Sequence, residues 1–117
     1  MNDKDNIRLT HIFDSCVELN QIISNFESVD DFLSHRLYQH ATVRLLEIIG
    51  EACGSLSDEC KEKYSSIEWQ AWKDMRNILN HQYFGVDYKK DYLVVKNENP
   101  DLMNEIKQML KELNKTK

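Results

Sequence analysis

The stretch Met75-Arg76-Asn77-Ile78-Leu79-Asn80-His81-Gln82-Tyr83 brings a guanidinium, carboxamides, an imidazole and a phenol together within eight residues. It ends a segment in which Trp69, Trp72 and the apolar residues after them recur at helical spacing. That period predicts a helix from Ile67 to about Asn80. No other window of the chain gathers so much polar chemistry, so we expect the functional site here.

The same three-and-four period of apolar residues continues through most of the chain and predicts further helices. The predicted spans are Asn6 to Phe26, Asp31 to Cys53, Leu56 to Tyr64, a fifth helix after Asp87 containing Tyr88, Tyr92, Leu93 and Val95, and Asp101 to about Leu113 after a cap and first-turn proline at Asn99-Pro100. We therefore predict one all-α domain over residues 1–117, an up-and-down bundle of five to six helices with the two long N-terminal helices packed on the motif helix.

A core stripe is predicted on the second of these helices. Its members are Leu33, Leu37, Ala41, Leu45, Ile48, Ile49 and Ala52, with Arg36, Gln39 and Glu47 off the stripe. The stripe of Trp69, Trp72 and Met75 on the motif helix is predicted to be core or dimer interface rather than a platform for stacked bases.

Composition indicates a folded protein without a membrane segment. The chain has 117 residues, 41% of them hydrophobic, with one proline and three glycines. Its apolar runs fall far short of the roughly 20 residues that cross a bilayer, and its polar start does not have the pattern of a signal peptide. We expect a cytoplasmic protein with no membrane contact.

Cysteine and histidine spacing predicts no metal site and no cofactor. Cys16, Cys53 and Cys60 are an odd set that matches no zinc module, and we expect them to be buried free thiols. His35 and His40 are five residues apart, which places them about 140° apart around a helix instead of on one face. We expect these two histidines and His11 to be surface or partly buried structural residues.

Charge is unevenly distributed along the chain, whose net charge is −5. Residues 1–68 carry six Lys/Arg against thirteen Asp/Glu, whereas residues 69–96 carry five against three. A negative protein is a poor general ligand for phosphate backbones. The local excess of positive charge around the motif still permits a phosphate-binding surface there, and the acidic half suits a basic partner.

The motif resembles the signature of the HepT-like ribonuclease toxins of the HEPN superfamily, in which an arginine, four residues, a histidine, one residue and a tyrosine follow one another. Here these positions are Arg76, His81 and Tyr83, and the family's Met-Arg-Asn is Met75-Arg76-Asn77. An aspartate shortly after the motif falls on Asp87. Arginine and histidine at this spacing alone would be a weak motif, so the rest of the chain has to support the likeness.

The likeness extends over most of the chain. Arg8 and Leu9 match the start of the family's first helix, and its Ile-Ile-Gly-Glu-Ala-Ala phrase is here residues 48–53, Ile-Ile-Gly-Glu-Ala-Cys, followed by Leu56-Ser57. The family's Pro-Trp before the motif helix appears as Glu68-Trp69, which changes how the helix starts. Its Val-Trp appears as Val94-Val95, which alters local packing.

The resemblance implies metal-independent RNA cleavage in which a ribose 2′-hydroxyl attacks the adjacent phosphate. Arg76 and His81 would be the catalytic residues, since arginine holds phosphate oxygens in a charged fork and histidine exchanges protons near neutral pH. Asn77, Asn80 and Tyr83 would position the substrate. A simpler explanation is that the arginine and histidine only cap the end of their helix.

Helix geometry leaves two ways to bring the catalytic pair together. Arg76 and His81 would lie about 140° apart on an unbroken helix, whereas Asn77 and His81 share a face. Either the helix breaks before His81, or the pair converges across two subunits. Because one chain supplies one motif histidine and acid–base catalysis is best served by two, we expect a homodimer.

The resemblance also implies partners. A small nucleotidyltransferase antitoxin of the MntA type would neutralise the toxin by transferring AMP to Tyr83, and transfer RNA would be the substrate. Tyr83 could instead close the core with its hydroxyl bonded inside. The alternative function is a non-catalytic accessory subunit that presents nucleotide or substrate to such a nucleotidyltransferase. That function would not require both Arg76 and His81.

Overall fold

The computed structural model describes residues 3–81 and 87–115, with the backbone alone at positions 78–81 and 115. These residues form helices and no strands, which confirms the predicted all-α class. The helices are α1 (Asp3–Ser24), α2 (Val29–Leu33), α3 (Arg36–Ser55), α4 (Asp58–Lys63), α5 (Trp69–His81), α6 (Tyr88–Asn97) and α7 (Asn99–Lys115). No helix in the described ranges is long and apolar enough to cross a membrane.

The second predicted helix is in fact two helices, so the described residues form seven helices where five or six were expected. Side chains cause the break. The Ser34 hydroxyl donates to the Asp31 carbonyl at 2.7 Å, and the Gln39 amide donates to the Phe32 carbonyl at 3.0 Å. Because these carbonyls find partners at the end of α2, the chain can leave the helix at His35 and begin α3 in a new register.

The new register makes part of the predicted core stripe wrong. Leu33 and Leu37 are 40% and 82% exposed and Ala41 lies at the surface, whereas Gln39, expected off the stripe, is buried. Ile49 and Ala52 are buried as predicted, and Leu45 and Ile48 are half-buried. The buried face of α3 consists of Gln39, Thr42, Leu46, Ile49, Gly50, Ala52 and Cys53.

Helix α3 lies at the centre of the bundle, with α5 and α1 as its most extensive neighbours among the described helices and α7 packed on α1. The core between them contains Leu9, Ile12, Leu19, Leu46, Ile49, Trp72, Val95 and Ile106. Cys16, Cys53 and Cys60 are buried free thiols as predicted. Burial raises the pKa of Cys16 to about 12 and of Cys60 to about 11, so these thiols stay protonated.

The start of the last helix differs from its prediction, because Asn99 is not an exposed cap. Its amide is buried and donates to the Cys16 carbonyl at 3.0 Å and to the Asn20 side-chain oxygen at 2.8 Å. The boundary between α6 and α7 is held by Glu98, whose N–H bonds to Val94 and whose carbonyl accepts from Leu102. Asn99 therefore joins α7 to α1.

Candidate functional site

Two tryptophans anchor the motif helix α5. Trp69 and Trp72 are 7% and 8% exposed and belong to the core, and the Trp69 indole donates to the Tyr64 carbonyl at 3.1 Å. Of the two roles predicted for this stripe, these side chains take the core role. A dimer interface therefore cannot rest on their apolar surface.

Gly50 of α3 sets the distance between α3 and the motif helix. A Cβ atom at this position would lie 2.6 Å from the Trp72 carbonyl oxygen and still closer to the Cβ of Arg76. A contact this short with helix backbone could be relieved only by moving α5. The missing side chain of Gly50 therefore allows the backbone that carries Arg76 to lie directly on α3.

The next turn of α3 meets α5 in a different way. A Cβ atom at Gly54 would lie 3.1 Å from Cδ of Lys73, so the flexible stem of a half-buried lysine fills the space between the helices. Lys73 and Arg76 are three residues apart and so lie on the same side of α5. This side of the motif helix carries two positive charges next to α3.

The Arg76 guanidinium is directed towards its neighbour in the sequence. Arg76 is half-buried, and its Nη1 donates to Oδ1 of Asn77 at 2.8 Å. Position 77 shares a helix face with position 81. The hydrogen bond therefore brings the positive charge towards the face on which the motif histidine is attached.

Helix α5 continues without a break through His81. This excludes one of the two arrangements expected from the sequence, a helix that ends before the histidine. Asn80 and His81 lie on the described backbone, but their side chains are outside the described set, and Tyr83 lies outside the described residues altogether. Of the predicted site residues, the structure brings Arg76 and Asn77 together, and the functional roles of all five stay predictions.

The chain beyond the motif returns as α6, whose first turn carries two acidic residues near two lysines. Asp87 caps the helix by accepting from the Lys90 N–H at 3.1 Å, and Lys89 and Lys90 are exposed. Burial, with a smaller contribution from Asp87, raises the pKa of Asp91 to about 6. The Asp91 carboxyl can therefore exchange its proton close to neutral pH.

The remaining histidines, His11, His35 and His40, are exposed, as expected of residues outside the motif. Among the side chains described at residues 3–77 and 87–114, no three His, Cys, Asp or Glu are grouped so that they could hold a metal ion. The chemistry that the described site offers is a fixed guanidinium, oriented by an amide, near the end of a helix.

Sequence reasoning overlooked Gly50 as a residue of this site. The signal was available in the Ile-Ile-Gly-Glu phrase, where a glycine stands in the middle of a strongly helical segment. A glycine there costs roughly 1 kcal/mol relative to alanine, so it calls for a packing reason. The sequence does not say which residue the glycine faces.

Comparison with known proteins identifies related chains. The family model described as Ribonuclease HepT-like matches residues 12–109, a span that includes both Gly50 and the motif helix. The chain belongs to the HepT-like ribonuclease family. The resemblance seen in the sequence is thereby confirmed.

Curated relatives of this HepT-like chain carry ribonuclease names. It is 41% identical over 111 residues to "Gamma-glutamylcyclotransferase and putative RNase MJ0434" of Methanocaldococcus jannaschii, which covers 95% of this chain and 50% of that protein. It is 37% identical over 102 residues to "Putative RNase TTE0752" of Caldanaerobacter subterraneus subsp. tengcongensis, covering 87% and 90% of the two chains. It is 37% identical over 82 residues to "Probable ribonuclease HepT" of Thermococcus cleftensis, covering 70% and 74%.

The chain thus spans half the length of the first of these relatives and most of the other two. No solved structure is significantly similar to it.

Proposed function

We propose that this chain is a metal-independent endoribonuclease and the toxin of a toxin–antitoxin pair, with Arg76 and His81 as its catalytic residues. One observation carries the proposal: Arg76 is fixed on α5 by the close approach to Gly50, with its guanidinium bonded to Asn77, on the helix that ends at His81. The family membership and the ribonuclease names of the relatives support RNA as the substrate.

The reaction follows from these groups. His81 takes the proton of a ribose 2′-hydroxyl as its oxygen attacks the adjacent phosphorus, and the bond from phosphorus to the 5′-oxygen breaks. The leaving 5′-oxygen gains a proton, so the products are a 2′,3′-cyclic phosphate and a 5′-hydroxyl. Arg76 stabilises the extra negative charge on the phosphorus centre, because a guanidinium stays ionised and can hold two oxygens at once.

Two asparagines and a tyrosine assist this step. Asn77 holds the guanidinium by accepting its N–H, so that the charge is in place before the substrate arrives. Asn80, one residue before the histidine, and Tyr83, two residues after it, position the phosphate and the ribose. Asn77 is thus a positioning residue that acts through Arg76.

A homodimer completes the acid–base pair. Each chain carries one motif histidine, and a base for the 2′-hydroxyl and an acid for the leaving oxygen require two proton-transfer groups. The unbroken α5 helix keeps positions 76 and 81 about 140° apart around its axis within one chain. Two-fold symmetry would place the ends of two motif helices on opposite sides of one phosphate.

Regulation follows from the tyrosine beside the site. We propose that a nucleotidyltransferase antitoxin of the MntA type attaches AMP to Tyr83. Each AMP adds bulk and at least one negative charge close to the place where the phosphate of the RNA must meet Arg76. Transfer RNA is the proposed substrate class.

The test is cleavage of purified transfer RNA in the presence of EDTA. We expect Arg76→Ala and His81→Ala each to abolish cleavage and growth inhibition, while the exposed control positions Arg36→Ala and His40→Ala retain both. The parent products should end in cyclic phosphate, detected by mass spectrometry. Cleavage by His81→Ala at the parent rate would show that the histidine is misassigned. A parent that binds RNA without cutting it would favour the accessory-subunit alternative.

The regulatory proposal has a separate test. The chain is co-expressed with its nucleotidyltransferase, and the added mass is mapped on peptides. AMP should appear on Tyr83 and not on the half-buried Tyr88, and the modified protein should lose cleavage. Modification of Tyr88 instead, or full activity after modification of Tyr83, would contradict it.

A further inference from the structure

A groove between α1 and α3 concentrates basic side chains away from the motif. It has a volume of about 570 Å³, and among its lining residues are Lys4, Ile7, Arg8, His11, Arg44 and Ile48. The basic residues on α1 recur at spacings of three and four, so they share one face of that helix. Arg44 reaches the same groove from α3.

These charges are largely without partners inside the protein. Lys4, Arg8 and His11 form no ion pair or side-chain hydrogen bond with the described residues. Nη1 of Arg44 lies 3.9 Å from Oε2 of Glu47, and a surface ion pair of this kind contributes little to stability in water. Glu51 is the only acidic residue among those that line the groove. Basic side chains therefore outnumber acidic ones along the groove, and Glu47 and Glu51 offset only part of their charge.

Composition does not explain this concentration, because residues 1–68 carry thirteen acidic side chains against six basic ones. A second groove, between α5 and α7, shows the opposite charge. It has a volume of about 300 Å³, and four carboxylates line it: Glu68, Glu98, Asp101 and Glu105. A polyanion would be repelled there and attracted to the groove between α1 and α3.

Two hollows that share Arg44 follow α1 over a length that suits several nucleotides. The second has a volume of about 410 Å³, and its lining includes Gln21, Asn25 and Leu45, although Glu18 also lies there. Lys4 and Gln21 are separated by about 26 Å along α1 at 1.5 Å per residue. Amide groups and apolar side chains such as Ile7, which is 56% exposed, can contact ribose and base edges between phosphates.

We propose that the groove between α1 and α3 binds the phosphodiester backbone of single-stranded RNA at a surface separate from Arg76. The proposal rests on the ribonuclease function proposed above. Ile48 lines the groove and Gly50 faces Arg76, and two helical residues lie about 200° apart around the axis. The groove would hold a flanking part of the substrate and raise affinity without touching the reacting phosphate.

The experiment measures binding of a fluorescent single-stranded RNA whose riboses are all 2′-O-methylated, so that it cannot be cleaved. We compare the parent with the groove variant, Arg8→Ala/Arg44→Ala, and with a control variant, Lys107→Ala/Lys111→Ala. The control removes the same charge from exposed positions of α7. We expect the groove variant to bind about tenfold more weakly at physiological salt and the control to change less than about twofold. The slope of log Kd against the logarithm of the salt concentration should be smaller by about 1.4 in the groove variant. Each phosphate contact to a single strand contributes roughly 0.7 to this slope, and the variant removes two such contacts.

Equal weakening in the two double variants would overturn the proposal, because it would show only a general effect of net charge. If one AMP per chain displaces the RNA from the parent protein, and the groove variant no longer binds AMP, the groove is a mononucleotide site and the proposal is overturned. A change in sedimentation of the groove variant with unchanged RNA binding would overturn it in favour of a protein interface. If circular dichroism shows that the alanine variant is misfolded, Arg8→Gln/Arg44→Gln replaces it.

Cleavage of unmodified RNA separates the two proposals. If the parent protein cleaves RNA, but the groove variant binds RNA as tightly as the control variant does, only the groove proposal is contradicted. A parent that fails to cleave, with binding that still depends on Arg8 and Arg44, contradicts the ribonuclease proposal and leaves a basic RNA-binding groove.

Discussion

The two sides of α3 differ in how they meet their neighbours. Towards α5, Gly50 has no side chain, and the backbone of the motif helix lies directly against it. Towards α1, side chains such as Ile7 and Ile48 stand at the surface and leave an open groove. A close backbone contact fixes geometry, which suits a site that must hold Arg76 in one place. An open groove lined by more basic than acidic side chains suits an anionic ligand.

The side that faces α1 is nevertheless firmly joined at one end. The buried carboxylate of Asp5 accepts from the N–H of Ser57 at 2.8 Å and from its hydroxyl, and the hydroxyl in turn accepts from the Cys60 N–H at 3.1 Å. The start of α1 is thereby linked to the cap of α4. The groove is therefore a gap between fixed helices, and not a place where the helices are loosely packed.

The largest effect is expected from Gly50→Ala. The added methyl group would overlap the backbone of α5 at Trp72 and Arg76, so the helices must separate or the core must distort. Overpacking of this kind costs roughly 1–3 kcal/mol, and we expect the upper end of that range because backbone is involved. The free energy of unfolding is measured by urea denaturation.

Gly50→Ala should also lower the rate of RNA cleavage more than RNA affinity, because Arg76 moves while the basic groove stays intact. Single-turnover rates and binding to 2′-O-methylated RNA separate these two effects. A variant with parent stability and parent cleavage rate would show that α5 does not depend on this close approach.

A smaller loss is expected from Asp5→Ala on the other side of α3. The substitution leaves the N–H of the half-buried Ser57 without its acceptor, which costs about 2 kcal/mol. Asp5→Asn keeps an acceptor oxygen and should recover part of the loss. Urea denaturation of the three proteins tests this order, and equal stability of parent and alanine variant would exclude the link between α1 and α4.

Helical periodicity predicted most of this fold because it is a local signal. The spans of α1 and α5 were predicted to within a few residues, as was the start of α6 after Asp87, and the buried cysteines follow from the same pattern. The break before α3 was missed, because it depends on the side chains of Ser34 and Gln39 bonding to carbonyls of α2. No periodicity contains that information.

The site divides in the same way. Arg76 and Asn77 were singled out from the sequence because they belong to one short motif, and their functional roles stay a prediction. The role of Gly50 depends on a contact between two helices that are distant in the sequence, and the basic groove combines Arg8 with Arg44. Such combinations appear only when the helices are placed beside one another.

A still smaller loss of stability is expected from Ile7→Ala, which shortens an exposed side chain at the groove. Because 56% of Ile7 is already accessible to water, its removal should cost only about 0.5–1 kcal/mol. Thermal unfolding measures this change. A loss as large as that of Asp5→Ala would mean that the groove is closed by packing and is not an open surface.

The smallest effect is expected from Gly54→Ala, the matched control for Gly50→Ala on the same helix and facing the same neighbour. The new methyl group would meet the side chain of Lys73 at 3.1–3.4 Å, and a flexible lysine stem can move aside by the few tenths of an ångström required. Alanine also favours a helix over glycine by up to about 1 kcal/mol, although less is gained so near the end of α3. The two terms nearly cancel, and we expect a change in the free energy of unfolding within about 0.5 kcal/mol and an unchanged cleavage rate. If Gly54→Ala were as damaging as Gly50→Ala, both substitutions would be acting through a general intolerance of this helix, and the specific contact between Gly50 and the backbone of Arg76 would lose its support.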